Sequence, residues 1–429
     1  MPAAGGTMTV NCDSHARQRG LAMEALEPEL LRATARRIAQ PNRTIRVAEI
    51  ADTVAAVCER WRSRDYAPRR ATVAAIAQAS RFSRALLEAS FDALLAPFTA
   101  EPIKAFATTG PGRLAGFIMP GNVPGAGLHE VVLALIHGAA VMIKTASAEP
   151  VFFHQFARSL LEADERLGER IAVFNWPRTR IDLTAALRQC CDLMAWFGDD
   201  QTVASAGMQA PSTTVGFGDR VSTAILTSEA LSMFGRFELA AAVARDVSLF
   251  EQRGCLSPHH VFVEAGVPGL AREFAVSLAD ALERFAAQFP SPAALALEDA
   301  AAVRRAHELA RWRQIGGHNV ELWEGRRLAW GVTYDASAAF IVSPGYRTVA
   351  VSPFVDADDL EQRLSLITDK LEAIALSDPA GRLTALIKRL RACGASYVCA
   401  PGMMQSPPLN WPHGGGAFIK RLEGNDAAT

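Results

Sequence analysis

Between residues 114 and 226 the sequence repeats one unit: a short apolar run, a turn, and a helix-like segment. The runs are Leu114–Met119, Ala140–Ile143, Ile171–Phe174, Leu193–Phe197 and Val221–Leu226. None alternates apolar with polar residues, as a strand with one wet face would. Strands buried on both faces read as continuous apolar runs because helices cover them above and below. The runs start about every 20 to 30 residues, the period of a βα unit. This pattern predicts an α/β fold with an open, mainly parallel sheet. Such a sheet binds ligands in the crevice at the carboxyl ends of its strands.

The flanks read differently. Residues 24–98 are helical in pattern, with apolar residues every third or fourth position and arginines opposite; one such segment, Ser80–Phe98, meets its stop at Pro97. A second α/β region begins near His260. Its expected strands are Val261–Val263, Trp330–Tyr334, Ala339–Val342, Val349–Pro353 and Tyr397–Cys399, with helices at Gly269–Gln288 and Asp358–Lys370.

Charge and cysteine content narrow the function classes. Lys plus Arg number 44 against 45 Asp plus Glu, so the net charge of −1 lacks the basic surplus of a nucleic-acid binder. The most apolar stretch, Leu128 to Ile143, is broken by His129, Glu130 and His137 and makes a poor membrane span. The first 22 residues hold no apolar run fit for a signal peptide. Seven scattered cysteines do not form a disulfide framework. A cytoplasmic, multidomain protein is expected.

Cys255 is the leading candidate for chemistry. It lies in LFEQRGCLSPHHVFV, on a turn between a helical pattern and a strand, where Arg253 and backbone N–H groups would stabilise a thiolate. The alternative is an inert cysteine in an interdomain loop. Asn122 is the second candidate. Prolines on both sides of Pro120–Gly121–Asn122–Val123–Pro124 would hold its amide rigidly, fit to stabilise an oxyanion; Asn beside Gly also serves simply as a turn residue. Two further turns, Gly198 with Asp199–Asp200 and Gly216–Phe217–Gly218, follow apolar runs and would line a pocket. No cysteine or histidine pair has zinc spacing, so no metal site is expected.

Four of these pieces occur in one order: the PGNVP turn, the IKTAS segment with Lys144, the WFGDD turn, and the cysteine loop. In that order they resemble the aldehyde dehydrogenase superfamily over roughly residues 40 to 420. GNVPG, FGDR, the SPH after the cysteine and a C-terminal Trp-His-Gly cluster are most similar to its acyl-CoA reductases of LuxC type. The resemblance implies a nicotinamide-binding domain, a catalytic domain and a cleft between them. It divides the chain into a flexible N-terminus (1–22), a helical region with the cofactor-binding α/β domain (23–245), a catalytic α/β domain (246–403) and a C-terminal return segment (404–429). Cys255 is then the nucleophile, with Asn122 and the Cys255 N–H as oxyanion hole. Lys144 meets the adenosine ribose and Gly198 opens the helix beside the pyrophosphate. His259 or His260 is a candidate proton shuttle, with capping of the following strand as the plain alternative.

Departures from the pattern sharpen the expectation. Hydrolytic aldehyde dehydrogenases carry a water-activating glutamate at the position of Gly216; without such a base an acyl-thioester persists long enough to accept hydride. Many NAD-specific members carry glutamate at the position of Ser147, and its absence favours NADPH, with NADH as the alternative. LuxC-type proteins usually have aspartate after the histidine of WPHGGG, where Gly414 stands, which leaves His413 without an assigned role. The implied activity is NAD(P)H-dependent reduction of an acyl thioester, on CoA or on a carrier, to an aldehyde by a homo-oligomeric enzyme. The alternatives are a hydrolytic aldehyde dehydrogenase with its base elsewhere, and a non-catalytic nucleotide-binding protein of the same fold.

Overall fold

The structure, a computed structural model, describes residues 26–40, 44–209, 214–291 and 295–424. The expected flexible N-terminus, 1–22, lies outside the described residues.

The apolar runs build two sheets. The first holds β1 (Leu114–Ile118), β2 (Ala140–Thr145), β3 (Ile171–Asn175), β4 (Leu193–Phe197) and β5 (Thr214–Phe217), all parallel, in the order β3-β2-β1-β4-β5. Helices cover both faces. Leu31 and Ile38 of Pro28–Ala39 pack with Met142, Phe174 and Leu187 on one side. Val54, Trp61 and Phe91 from the N-terminal helices pack with Phe117 and Val141 on the other. The absence of alternation in these strands follows directly. The chain winds outward from β1 through β2 to β3, then crosses to β4 and β5 on the other side. A crevice therefore opens between the carboxyl ends of β1 and β4, at the switch in strand order. The PGNVP turn follows β1 and Gly198 follows β4, so both lie at that crevice.

The run Val221–Leu226, expected in the first series, is β6 of a second sheet. That sheet also contains β7 (Pro258–Glu264), β8 (Val320–Glu324), β9 (Gly331–Asp335), β10 (Thr348–Phe354), β11 (Leu371–Ser377) and β12 (Tyr397–Cys399), in the order β12-β11-β6-β7-β10-β9-β8. The reason is the length of the link. Only Gly218–Asp219–Arg220 separate β5 from β6, whereas a parallel neighbour in one sheet needs a crossover of about a dozen residues or more. The change from the first sheet to the second thus falls at Gly218–Arg220, ahead of the boundary expected at residues 245/246. Helix Arg236–Ser248, placed before that boundary, packs Leu239, Val243 and Val247 against Val261 and Val263 of β7.

Apolar runs show burial but not pairing, so other strands were also misread. Ala339–Val342 is no strand: the Ile341 N–H donates to His260 Nδ1, and Ser343 N–H, just past the segment, donates to His259 Nδ1. β5, β8 and β11 were not foreseen. β8 is antiparallel to β9 at the sheet edge, and its side chains are mostly half-exposed. No helix among the described residues is long and apolar enough to cross a membrane.

The C-terminal segment leaves β12 and returns to the first sheet, where Phe418 packs against Phe117 at 5.6 Å between ring centroids. Buried Asp246 anchors its start. Its carboxyl oxygens accept from the backbone N–H groups of Gly402 (2.6 Å) and Met404 (3.0 Å). Burial pushes this carboxyl up to about 7, against the pull of those two donors. A folded pKa above the unfolded one means that the group's stabilisation is full below the unfolded pKa of about 3.9 and is lost as pH rises through about 7. Asp246→Asn should therefore be less stable than wild type in urea unfolding at pH 4.5, and the gap should narrow by pH 8. A gap that widens over that range would show that the carboxylate, not the acid, is the favoured buried form.

Candidate functional site

A cleft with a cavity volume of about 1740 Å³ lies between the two sheets. Cys255, Asn122, His259, Lys144, Ser147, Gly198, Gly216 and Gly218 all line it, and of the expected site residues only His260 does not.

Cys255 reaches the cleft through an unusual reversal. After helix Arg236–Ser248, Phe250, Glu251 and Gln252 take φ values of 52°, 54° and 56°. Left-handed backbone costs a non-glycine residue about 1–2 kcal/mol, so three in succession persist only where the surroundings hold them. Buried Glu251 pairs with buried Arg347 at 2.9 Å. The Gln252 amide donates to the carbonyls of Pro258 and Thr348 and accepts from Thr348 N–H, all at 2.8 Å. A second left-handed pair, Tyr346–Arg347, faces the first, and Tyr346 N–H donates to the Glu251 carbonyl at 3.0 Å. Ser222 Oγ then donates to the Cys255 carbonyl at 2.6 Å. The outcome is a half-buried thiol at a fixed place on the cleft wall.

Asn122 meets this loop from the other sheet. Its Nδ2 donates to the carbonyl of Arg253 at 2.6 Å. One amide hydrogen thus ties the PGNVP turn to the cysteine loop, and the amide group sits two residues from the thiol.

His413 was the unassigned residue, and the fold puts it beside Cys255. Its Nδ1 lies 2.6 Å from Glu130 Oε1, and its ring also hydrogen-bonds the Cys255 side chain. The ring stacks on Trp411 at 4.1 Å and lies against Phe217 at 4.5 Å. Burial works against a charged imidazole here, but the Glu130 carboxylate and the hydrogen bonds to Cys255 and Glu130 outweigh it and hold the imidazolium well above the usual histidine range. Burial likewise opposes a charged Glu130, yet His413 and His129 hold that carboxyl well below the usual range. Gly414, Gly415 and Gly416 follow at φ 56°, 81° and 75°, a reversal that few other residues would tolerate. The sequence did carry a signal for Glu130. It is an acid flanked by His129 inside the otherwise apolar helix Leu128–Ile136.

The two adjacent histidines do not take up the shuttle role expected of them. His260 is fully buried, stacked on Phe262 at 4.3 Å, with Nε2 on Ser352 Oγ and Nδ1 accepting from Ile341 N–H. Burial holds its imidazole down at about 3, so it stays neutral and away from the cleft. His259 does line the cleft, but its Nδ1 is occupied by the Ser343 N–H at 3.0 Å and burial holds it down at about 4. Both lie within β7 and accept from backbone N–H groups of the segment that follows β9, so neither caps the start of its own strand, the plain alternative expected.

At the other end of the cleft Lys144 ends β2, nearly buried, and Arg178 follows β3. Burial, and then the Arg178 charge, lower the Lys144 pKa. Neither cation has a carboxylate ion pair among the described residues, and Ser147 lies exposed on the same wall. The nearest acid on that segment, Glu149, instead accepts from the N–H groups of Val151 and Phe152. Arg178 was not foreseen, since an arginine on a turn is an ordinary surface residue until the fold sets it beside a lysine.

After β4, Gly198 lines the cleft, and its neighbour caps the helix that follows: Asp199 Oδ1 accepts from Thr202 N–H at 2.7 Å. At Gly216 a Cβ would lie 2.0 Å from Val203 Cγ1, so a larger side chain there requires Val203 or its helix, Asp200–Gln209, to shift. No group of three or more potential metal ligands occurs among the described residues.

Residues 101–424 match the family described as acyl-CoA reductase (LuxC). The chain belongs to that family. The resemblance read from its motifs is thereby borne out. A long-chain acyl-protein thioester reductase from Photorhabdus laumondii is 22% identical over 281 residues, 58% of this chain and 56% of that protein. Another from Aliivibrio fischeri is 24% identical over 261 residues, 58% of this chain and 50% of that protein. The chain thus spans about half the length of these curated relatives. An NAD-dependent aldehyde dehydrogenase from Sinorhizobium meliloti superposes with a TM-score of 0.67 at 16% identity, covering 87% of this chain and 79% of that one. A benzaldehyde dehydrogenase from Corynebacterium glutamicum gives 0.64 at 16%, covering 92% and 87%. The LuxC-family chain therefore has the aldehyde dehydrogenase fold, as expected.

The reversal before Cys255 depends on one buried ion pair. Removing one partner of such a pair strands the other charge and costs about 3–5 kcal/mol. Arg347→Met should lose stability of that order in urea unfolding. A loss below about 1 kcal/mol, the scale of an exposed pair, would show that other contacts hold the turn.

Proposed function

We propose that this chain reduces an acyl thioester to an aldehyde through an acyl-enzyme on Cys255. The observation that carries the reading is a cleft-facing thiol combined with a glycine at 216, which offers no carboxylate to the cleft. Cys255 attacks the thioester carbonyl, and its sulfur replaces that of CoA or of a carrier. The Asn122 amide and the Cys255 N–H stabilise the oxyanion formed on that carbonyl. The six carboxylates that line the cleft among the described residues are already engaged: Glu130 by His413, Glu372 by Ser396, Asp199 by Thr202, Asp182 by Arg180, Asp219 by the Asp200 N–H and Asp299 by Tyr346. With no carboxylate among these free to activate water, the acyl-enzyme persists until it is reduced or returned to a thiol. This speaks against the hydrolytic alternative. The long-chain acyl-protein thioester reductases among its relatives support a fatty acyl group on a thiol carrier as substrate.

Two cations with no carboxylate ion pair among the described residues, converging on one wall, suit a phosphorylated cofactor, and NADPH is the proposed one. Lys144, Arg178 and Ser147 would hold its adenosine end and 2′-phosphate. When bound, it supplies the hydride that reduces the acyl group.

Two experiments test this reading. Mixed with a fatty acyl-CoA and no reductant, the protein should gain one acyl unit in intact mass, and Cys255→Ala should gain none. NADPH should then release aldehyde. Prompt appearance of free acid without NADPH would instead favour the hydrolytic alternative. For the cofactor, Ser147→Glu puts a carboxylate where the 2′-phosphate would sit. It should raise KM for NADPH by about tenfold or more, the effect of roughly 1.4 kcal/mol of like-charge repulsion, and leave KM for NADH nearly unchanged. Equal effects on the two would move the phosphate site elsewhere.

A further inference from the structure

The ring of His413 joins the thiol of Cys255 to a buried carboxylate from a distant helix, and this arrangement has a chemical use that the proposed reaction needs. Displacing an alkyl thiol from a thioester expels a group about as basic as free cysteine, with a pKa near 8.5. Such a group leaves more readily if it is protonated as the C–S bond breaks.

We propose that His413, oriented by Glu130, is the catalytic acid–base group of the Cys255 site. This rests on the reading of Cys255 as the acylated nucleophile. The proton of the Cys255–His413 pair is held on the His413 imidazolium before acylation, so Cys255 Sγ bonds to the acyl carbon as a sulfur that has already given up its proton. As the bond from the acyl carbon to the departing sulfur breaks, that proton passes to the departing sulfur. The products are the Cys255 thioester and a free carrier thiol, with no change in oxidation state.

Three observations support the role. The Nδ1 contact to Glu130 Oε1 at 2.6 Å places that nitrogen's hydrogen on the carboxylate, so the exchangeable proton resides on the other nitrogen. The ring cannot swing away, being packed between Trp411 and Phe217. Glu130 is itself fixed by His129, whose Nδ1 lies 3.3 Å from it and whose Nε2 lies 2.9 Å from the Leu409 carbonyl. Gly414 in place of an aspartate therefore does not leave His413 without a carboxylate. Glu130 supplies one across the fold. Glu130 acts through His413 and is a positioning residue.

A structural ion pair between the tail and helix Leu128–Ile136 would show the same contacts, so the test must read proton transfer. The measurement is single-turnover acylation of Cys255, followed by quenched intact mass, with decanoyl-CoA and with the S-phenyl thioester of decanoic acid. Thiophenol is acidic enough to leave without a proton. His413→Gln should slow acylation by decanoyl-CoA by about 10²–10⁴, the usual worth of a general acid–base group. The loss with the phenyl thioester should be at least tenfold smaller. Glu130→Gln, which keeps shape and burial, should show the same bias towards the CoA substrate with a smaller loss. Equal slowing of both substrates in both variants would overturn the proposal and leave His413 and Glu130 as structural partners. Unchanged rates would overturn it as well. Wild-type protein that takes up no acyl group on Cys255 from either donor would instead bring down the underlying thioester-reductase reading, and this proposal with it.

Discussion

The buried ion pair between Glu251 and Arg347 holds the three left-handed residues that turn the chain from helix Arg236–Ser248 into the cysteine loop. Without it, strain of several kcal/mol would relax the reversal, and Cys255 would lose its place opposite Asn122. The pair also joins two turns far apart in sequence, since Tyr346–Arg347 adopts the same conformation and closes onto Glu251. A site that needs a thiol within reach of groups from another sheet is thus built on backbone that no local preference would choose.

Charge is distributed along the cleft in a way that suits two different ligands. At the end near β2 and β3, Lys144 and Arg178 present positive charge with no carboxylate ion pair among the described residues, although Asp199 lies within the field of Arg178. At the thiol end the charges are matched, with the His413 imidazolium balanced by Glu130. The first end is prepared for an anionic ligand and the second for reactions that move a proton while charge builds on a carbonyl oxygen. Two histidines that share the cysteine loop are excluded from that work by burial and by the backbone N–H groups they accept from.

The tail couples these parts. Asp246 fixes its start, the stack of Trp411, His413 and Phe217 fixes its middle, and Phe418 fixes its end against β1. It therefore touches the helix before the cysteine, the thiol itself through His413, and the core of the first sheet. A shift of the two sheets relative to each other would disturb all three at once.

Sequence alone determined the α/β class, the first four strands, the turn with Asn122 and the loop with Cys255, because each is written in contiguous residues. Apolar runs without alternation report burial on both faces, and turns report themselves through Pro and Gly. β6 falls in the other sheet because β5, which is not legible as an apolar run, leaves a link of only three residues, too short for a parallel crossover. Only the tertiary structure decided which charged residues meet. Asn122 reaches Arg253 across 131 residues, and Glu130 reaches His413 across 283. No periodicity encodes such a pairing, because it depends on how two sheets and a returning tail pack. His259 and His260 gave the opposite lesson. They stand beside the thiol in sequence, yet the pleat of β7 buries one fully and an adjoining backbone segment occupies both rings, so proximity along the chain did not become proximity in chemistry.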